Sequence, residues 1–206
     1  MLNLYERYVL PKLVALSCGN EVLDPLRDKL CAGLYGEVIE LGFGSGTNIG
    51  HYPAAVTRVV GVEPSDHAWK LSTTLRQGTT THIVRGSLDS QCLGEPDESF
   101  DAALSAFTLC TIPDPHAALL ELRRVLKPGG TLHFLEHGLA PDQNIQRWQH
   151  RVEPVQKFFA GGCHLTRSNE SMLKEAGFRI LGLEAFYQPG VPRIEGAFSL
   201  GTAVRD

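Results

Sequence analysis

The chain has 206 residues, 43% of them hydrophobic and 20% charged, which is ordinary for one globular domain with a continuous core. A net charge of −4 and a pI near 6.1, without a basic stripe, exclude a general nucleic-acid partner. The five cysteines show no C-x-x-C pair and no metal-ligand spacing. We therefore expect reduced thiols in a cytoplasmic protein, packed as small hydrophobic side chains, and no metal site.

The N-terminal segment is apolar but interrupted by charges and by Pro11. Residues 1–16 are too short and too charged to span a bilayer, which needs about 20 apolar residues. Apolar residues recur there at three- and four-residue steps, which predicts an amphipathic helix broken near Pro11. This helix would either pack as a cap over a ligand cleft or present a surface to an acceptor or to lipid.

From Gly36 onward, apolar strands and amphipathic helices alternate, which predicts an α/β fold with a mainly parallel sheet and helices on both faces. Five strands are predicted at 37–41, 58–63, 81–84, 100–105 and 131–136. The intervening helices are predicted at 66–75 and 116–125. A helix-like insert follows at about 142–159, then a helix capped by Thr166 or Ser168 and ending at Gly177. Segments 178–186 and 197–204 would close a seven-stranded sheet as a hairpin with an antiparallel C-terminal strand. We expect one domain with four parts: a helical cap (1–35), a core (36–137), a helical insert (138–165) and a C-terminal helix and hairpin (166–206).

Three glycines at alternate positions follow the first predicted strand, at Gly42, Gly44 and Gly46. Such a turn between strand and helix lets a ligand lie against bare backbone. Glu63 ends the next strand, 21 residues after Gly42, where a carboxylate can accept hydrogen bonds from ribose hydroxyls. A dinucleotide fingerprint would need glycine where Thr47 stands, which disfavours an NAD-dependent enzyme. The pattern predicts a nucleoside-binding site.

The stretch Glu40-Leu-Gly-Phe-Gly-Ser-Gly46 resembles motif I of class I S-adenosylmethionine (SAM) methyltransferases. The run Ser99-Phe-Asp101 and the helix ending in Val125-Leu-Lys-Pro-Gly-Gly130 are similar to the latter half of the same domain. The resemblance covers about residues 36–137 with its motifs in order. It implies a Rossmann-like class I methyltransferase fold, SAM as cofactor and S-adenosylhomocysteine as product.

The resemblance also implies a cofactor site. The three glycines would carry the methionine part of SAM, and Glu40 would either sit near its ammonium group or order the loop. Asn48 and His51 would contact the carboxylate or shape the pocket, although Asn48 also suits a helix start and His51 suits packing. Glu63 would bind the ribose. The remaining cofactor-binding candidates are Pro64, Ser87, Leu88 and Ser105, with Asp89 as a substitute for the Asp that many relatives have at Ser87.

The C-terminal part resembles a narrower group. Phe134-Leu-Glu-His-Gly138, Trp148, Gly161-Gly-Cys-His-Leu-Thr-Arg167 and the pair Leu109-Cys110 are similar to the methyltransferase-like thiol (alkyl thiol) methyltransferases. Bacterial phosphatidylethanolamine N-methyltransferases and quinone-biosynthesis C-methyltransferases share the ending of strand five. Two features depart from the thiol family: the membrane-anchoring helix of its animal members is missing, and His164 stands where they have Asn.

Methyl transfer from a sulfonium needs an aligned, deprotonated nucleophile and no metal. Glu136 and His137 end a strand at the edge where ligands gather in open α/β sheets, so we expect them on the acceptor side, with His137 as a base. His164 is a further catalytic candidate, and Arg167, Trp148 and His150 are weaker ones. The residues Trp148, Val152, Val155 and Phe159 form a stripe at helical spacing that reads as core or lid rather than as a substrate pocket.

Three hypotheses follow. The first is a SAM-dependent methyltransferase acting on a small apolar acceptor, most simply a thiol, because a thiol with a pKa near 8.5 is a few per cent thiolate at neutral pH. The second is a methyltransferase of a lipid headgroup or quinone precursor, with peripheral contact between the protein and a membrane. The third is a non-catalytic SAM-binding module. The sequence leaves the acceptor and the oligomeric state open.

Overall fold

A computed structural model describes residues 20–206, so the helix predicted within residues 1–16 lies outside the described part. Seven strands form one sheet in the order β3-β2-β1-β4-β5-β7-β6. All neighbouring pairs from β3 to β5 are parallel, and β7 runs antiparallel to both β5 and β6. The predicted fold class, a mainly parallel sheet with an antiparallel C-terminal strand, is confirmed. The strands are β1 (Gly36–Leu41), β2 (Val56–Val62), β3 (His82–Arg85), β4 (Phe100–Ala106), β5 (Leu126–His137), β6 (Phe178–Tyr187) and β7 (Ala197–Arg205).

Six α-helices connect or flank the strands in the described range, and three of them begin at a side chain that caps the first turn. Asp114 and Ser168 accept backbone N–H groups at the starts of the fourth and sixth helices, as their sequence positions suggest. No helix within residues 20–206 is long and apolar enough to cross a membrane. The helices are α1 (Asp24–Cys31), α2 (Asp66–Leu71), α3 (Thr73–Gly78), α4 (Pro115–Val125), α5 (Gln143–Phe159) and α6 (Asn169–Glu175), with single 3-10 turns at Glu21–Leu23 and Ile49–His51.

The central strands are buried on both faces, which explains their nearly continuous apolar sequences. Val38 and its neighbours on one face pack against α1, in a cluster that includes Leu30 and Cys31. Ile39 and its neighbours on the other face pack against α4 and α6, in a second cluster that includes Leu122 and Leu173. With both faces covered, the carboxyl-end edge of the strands is where the polar site residues collect.

Two predicted element bounds are wrong, each for a local reason. The single helix predicted at 66–75 is interrupted at Ser72, whose hydroxyl donates to Trp69 O at 2.7 Å and accepts from Arg76 Nε at 2.8 Å. The fifth strand begins at Leu126 rather than at Thr131, because Leu126 already pairs with Phe100 of β4. Lys127-Pro-Gly-Gly130 therefore ends α4 as predicted but is part of the strand that follows.

Candidate functional site

The site lies at the carboxyl ends of β1 and β4, which are neighbours although β2 and β3 separate them in sequence. Chain connections leave this point in opposite directions along the sheet, and open α/β sheets bind ligands at such a switch point. The glycine turn follows β1, and the loop Phe107–Cys110 follows β4. Thr108 joins them, because its hydroxyl donates to Leu41 O at 3.2 Å.

The three glycines of the turn all have positive φ, of 64°, 57° and 79° in chain order, which explains why glycine is used at each. Their surroundings differ. A Cβ on Gly42 would lie 2.0 Å from Thr108 Oγ1, and one on Gly46 would lie 2.6 Å from Ile49 Cδ1. A Cβ on Gly44 would meet only Gly42 O, at 3.6 Å. The backbone of Gly44 is therefore the open face of the turn, against which a ligand can lie.

Glu63 connects this turn to the end of β2. One carboxylate oxygen accepts the Gly44 N–H and the other accepts the Ser65 N–H, both at 2.8 Å. Burial raises the pKa of Glu63 above its ordinary value, although these two hydrogen bonds act in the opposite direction. Each oxygen keeps a second lone pair, so the carboxylate can hold the loop and still accept from a ribose. Pro64 leads into Ser65, whose hydroxyl caps α2 by accepting from Ala68 N at 3.2 Å.

Glu40 and Asn48 lie in a buried polar network beneath the turn rather than on its open face. Asn48 Nδ2 donates to Glu40 Oε1 at 2.7 Å, Tyr52 donates to the other Glu40 oxygen, and Arg27 donates to Asn48 Oδ1. Burial raises the pKa of Glu40 to about 7. The network ties the turn to α1, which favours the loop-ordering role over contact with the ammonium group. It also occupies the Asn48 side chain that was expected near the cofactor carboxylate.

His51 reinforces the same connection. Its Nδ1 lies 2.7 Å from Asp28 and its Nε2 lies 3.6 Å from Asp24, so it bridges two carboxylates of α1. This arrangement fits the packing role that was the alternative to contact with the cofactor.

The loop after β3 carries the residues that were expected to contact adenine. Both the backbone N–H and the hydroxyl of Ser87 donate to Glu95, at 3.0 and 2.8 Å. Asp89 is exposed, and its Oδ1 accepts from the backbone and side chain of Gln91 within its own turn. Leu88 is 54% exposed and is the side chain that this loop leaves available to cover a flat ligand.

Glu136 is fully buried, and its contacts are with the protein. Oε1 accepts from Ser105 Oγ at 2.7 Å and from the N–H groups of Thr108 and Leu109, each at 3.0 Å, and Oε2 accepts from Cys110 N at 3.3 Å. Burial raises its pKa above the ordinary value. Glu136 therefore positions the loop after β4, and this corrects its expected place beside the acceptor. Ser105, expected to face the cofactor, is likewise completely buried.

His137 remains at the surface of the site. Its ring packs between Phe107 and Phe198 with both ring centroids at 5.0 Å. Its Nδ1 lies 3.8 Å from the Sγ of Cys110. Burial lowers the pKa of His137, but Cys110, Glu136 and Glu195 together outweigh it and leave the pKa above its ordinary value. A role as base would therefore be confined to higher pH than for a free histidine.

His164 and Arg167 lie on the far side of the same loop. The His164 N–H donates to Cys110 O at 2.8 Å, and its ring lies 3.1 Å from a Glu153 carboxylate oxygen. Burial, with the charges of Arg167 and Lys157, lowers the pKa of His164. Arg167 donates to Leu109 O. Both residues thus hold the loop, and the His164 ring is paired with Glu153.

Sequence reasoning missed two cysteines of the site. Cys110 and Cys163, interpreted as packed hydrophobic side chains, lie beside His137, and the ligand atoms of all three fall within 4.8 Å of one another. The hydrogen bond with Cys163, together with burial, raises the pKa of Cys110 well above its ordinary value. The Leu109-Cys110 and Gly162-Cys163 pairs within the family-like segments were the available signal, but no sequence spacing joins them.

The stripe on α5 was expected to be core or lid. Trp148 is 51% exposed and Val155 is 59% exposed, so these two positions are not core. Gln149, the residue after Trp148, is fully buried; its side chain accepts from Ala140 N and donates to Gly138 O. The helix is therefore fixed beside His137 by a polar residue, and two apolar side chains of the stripe face outward.

Known proteins resemble this chain in sequence and in fold. A family described as "Methyltransferase domain" matches residues 39–134. Human thiol S-methyltransferase TMT1B is 33% identical over 175 residues, which cover 82% of this chain and 70% of that protein. The demethylmenaquinone methyltransferase of Clavibacter sepedonicus is 30% identical over 134 residues, covering 64% of this chain and 54% of that protein.

The chain is shorter than these relatives, spanning 63% of the length of rat TMT1B. Among solved structures, a putative methyltransferase from Bacillus halodurans superposes with a TM-score of 0.73 at 17% identity, over 90% of this chain and 98% of that one. At this identity the likeness concerns the fold alone.

Proposed function

The chain belongs to the family of SAM-dependent methyltransferases that includes TMT1B, and from this premise we propose that it methylates the sulfur of a small apolar thiol. One observation carries the proposal. Thr108 and Glu136 hold the loop after β4 directly against the glycine turn, so the ligand-binding backbone at Gly44 and the polar edge at His137 belong to one site.

The cofactor side fits SAM. We expect the open backbone of Gly44 to carry the methionine part, the remaining lone pairs of Glu63 to accept from the ribose, and the exposed Leu88 to cover the adenine; the open space, the hydrogen bonds and the exposure at these positions support this assignment. SAM supplies a methyl group that is already activated on a sulfonium. The protein therefore needs to hold two reactants in line rather than to generate a strong acid or base.

The acceptor side suits an apolar thiol. Phe107 and Phe198 pack around His137, so the acceptor edge combines two apolar rings with one titratable ring. A thiol is partly ionised near neutral pH and needs only to be placed and to lose its proton. Hydroxyls and protonated amines would need a stronger base than this edge contains.

A second candidate is methylation of a quinone precursor or lipid headgroup. It is favoured by the outward-facing apolar side chains of α5 and by the likeness to the demethylmenaquinone methyltransferase. Flotation with liposomes separates the two, because only this candidate requires appreciable binding to lipid. A non-catalytic SAM-binding role is the third candidate, and it predicts SAM binding without release of product from any acceptor.

The test is release of S-adenosylhomocysteine with a panel of small thiols, phenols, amines, quinone precursors and phosphatidylethanolamine. We expect release to depend on thiols. Release with only a quinone precursor or lipid would replace the thiol proposal, and tight SAM binding without acceptor-dependent release would contradict catalysis.

The substitution Glu63→Gln tests the cofactor side in the same assay. It places an amide donor against a backbone N–H of the turn and replaces the charged acceptor offered to the ribose by a neutral amide; losing a hydrogen bond to a charged group costs about 1.5–3 kcal/mol of binding. We expect the Kd for SAM, measured by calorimetry, to rise roughly ten- to a hundredfold. The matched control is Glu37→Gln, the same change in a partly exposed carboxylate at the amino end of β1, paired with Arg58. Equal effects in both variants would show that Glu63 has no special part in binding.

A further inference from the structure

Three soft ligand atoms converge from three separate parts of the chain. Cys110 is in the loop after β4, His137 ends β5, and Cys163 follows α5. Their ligand atoms all lie within 4.8 Å of one another, and Cys110 Sγ is 3.8 Å from His137 Nδ1. Cys110 and Cys163 are 1% and 7% exposed. Two buried thiols and one imidazole at such distances have the composition of a metal site rather than of ordinary packing.

The spacing matches a tetrahedral cation. Zn²⁺ binds sulfur at about 2.3 Å and imidazole nitrogen at about 2.0–2.1 Å, which places neighbouring ligand atoms roughly 3.5–3.8 Å apart. The Cys110–His137 separation of 3.8 Å is already in that range. The other pairs need to close by about 1 Å at most, which a small rotation of a cysteine side chain provides. Two thiolates and a neutral imidazole around a divalent ion give no net charge, as a buried site requires.

The ligands are held by hydrogen bonds of their backbone and, for His137, by packing of the ring. The Cys110 N–H is bound to Glu136, its carbonyl accepts the His164 N–H next to Cys163, and Arg167 anchors the preceding residue Leu109. The ring of His137 is packed between two phenylalanines, and its carbonyl accepts from Asn169 at 3.1 Å. Such support orients ligands before a metal binds.

The cluster also lies close to the cofactor edge. Thr108, two residues before Cys110, donates to Leu41 O and fills the space above Gly42. Three-ligand zinc sites with two cysteines and one histidine keep a fourth position for a substrate or water. A thiol acceptor is itself a strong ligand for zinc once ionised.

We propose that Cys110, His137 and Cys163 bind a thiophilic divalent cation of the Zn²⁺ class, and that its fourth position takes the sulfur of the acceptor thiol. This runs against the sequence-based expectation of no metal site. The claim that the cation binds the acceptor rests on the proposed function; the claim that the three residues bind a cation does not. The cation binds the acceptor as a thiolate, and the S–H proton goes to solvent. The thiolate sulfur then bonds to the methyl carbon as the carbon–sulfonium bond breaks, and that electron pair stays on the departing thioether sulfur.

The metal half is tested with Co²⁺, which takes zinc sites and reports its ligands by absorption. The full chain is purified under reducing conditions, stripped with a chelator and titrated with Co²⁺ without SAM or acceptor. We expect one equivalent to bind, with thiolate-to-cobalt charge-transfer bands and the visible bands of a tetrahedral ion. Because even residues behind a ligand change metal affinity by 10–100-fold, Cys110→Ser and Cys163→Ser should each weaken binding by at least about a hundredfold.

The matched control is Cys92→Ser, an exposed thiol away from the cluster, which should leave the titration unchanged. If Cys110→Ser fails to fold, as judged by circular dichroism, Cys163→Ser still decides the result because Glu136 does not contact it. Absence of thiolate bands, or bands that persist in the folded cysteine variants, would overturn the site. A Cys110–Cys163 disulfide that forms readily in a protein that takes no Co²⁺ would also overturn it.

The acceptor half has its own readout. Adding a thiol substrate to the cobalt protein should shift the visible bands in the absence of SAM. If the visible bands do not shift although the metal is bound, or if thiol turnover is equal before and after chelation, the acceptor does not bind the cation. Thiol methylation itself would then still stand. A metal-binding protein that methylates no thiol would leave the metal site in place and remove the proposed function.

Discussion

The two halves of the site are built differently. On the cofactor side, the turn after β1 and Glu63 at the end of β2 come from 22 consecutive residues, 42–63, and act largely through backbone geometry. On the acceptor side, Cys110, His137 and Cys163 come from segments more than 20 residues apart and act through side chains. The first half can be recognised in a linear motif. The second exists only once the sheet has brought its strands together.

The acceptor half itself has a fixed part and an exposed part. Glu136 accepts four hydrogen bonds and fixes the loop after β4, whereas Trp148 and Val155 on α5 face outward. The buried carboxylates Glu40 and Glu136 stand on either side of the switch point, one beneath each half. Both halves of the site therefore rest on a buried, hydrogen-bonded carboxylate, and the exposed apolar side chains of α5 lie outside that fixed part.

The largest expected effect comes from Gly42→Ala compared with Gly44→Ala. Both glycines have positive φ, which costs alanine about 1–2 kcal/mol. At Gly42 the new methyl group would also collide with Thr108, adding about 1–3 kcal/mol of overpacking. We expect Gly42→Ala to destabilise the fold by about 2–5 kcal/mol in urea unfolding, whereas Gly44→Ala folds with a loss of only about 1–2 kcal/mol.

Binding should reverse the order of these two variants. Gly44→Ala places its methyl group on the open face and should abolish SAM binding by calorimetry while the protein remains folded. If Gly44→Ala folds and binds SAM normally, the ligand does not lie against this backbone. The proposed placement of SAM along the glycine turn would then be wrong.

Much of the fold, and the positions of the glycine turn and of Glu63 at the end of β2, followed from the sequence, because glycine spacing and apolar strands are local signals. All seven strands were expected within a few residues of their observed bounds, apart from the early start of β5. Ser72 shows the limit of local reasoning, since the break in the helix there comes from hydrogen bonds to its neighbours and from packing beneath Gly46.

The acceptor half of the site could be predicted from the sequence only in part. The position of His137 at the end of a predicted strand placed it at the carboxyl-end edge of the sheet, where the structure has it. The same reasoning placed Glu136 beside the acceptor. Adjacent residues of a strand point to opposite faces, and here the carboxylate turns inward to three N–H groups that belong to a loop 26–28 residues away. No linear spacing predicts that contact, nor the meeting of Cys110 with Cys163.

A smaller effect is expected from the titration of Glu40 beneath the cofactor turn. Its pKa is about 7 in the folded protein and its ordinary value is 4.5. The folded state therefore binds this proton more tightly than the unfolded chain does. The resulting stability is fully present below about pH 4.5 and is lost as the pH rises through about 7. At about 1.36 kcal/mol per pKa unit, it amounts to at most about 3 kcal/mol.

Glu40→Gln removes this titration and keeps the shape of the side chain. We expect its free energy of unfolding in urea to fall less between pH 5 and pH 8 than that of the unsubstituted protein. Glu37→Gln, at a partly exposed carboxylate of the same strand, should keep the full pH dependence. If both variants lose stability in parallel with the original protein, the Glu40 network is not the source of the pH dependence.

The smallest effect on stability is expected at Trp148, which sharpens the comparison from the acceptor side. The residue is half exposed, with the Arg151 guanidinium 5.2 Å above its ring, so Trp148→Ala should change stability by about 0.5 kcal/mol or less. Leu181→Ala is the matched control, an equally exposed apolar residue on β6.

If α5 borders the acceptor, Trp148→Ala alone should raise the acceptor KM by roughly fivefold, the equivalent of about 1 kcal/mol, and leave the Kd for SAM unchanged. An unchanged KM together with lost liposome binding would assign the α5 surface to a membrane and favour the lipid or quinone acceptor. The same substitution therefore decides whether the outward surface of α5 contacts the acceptor itself or the membrane in which an acceptor resides.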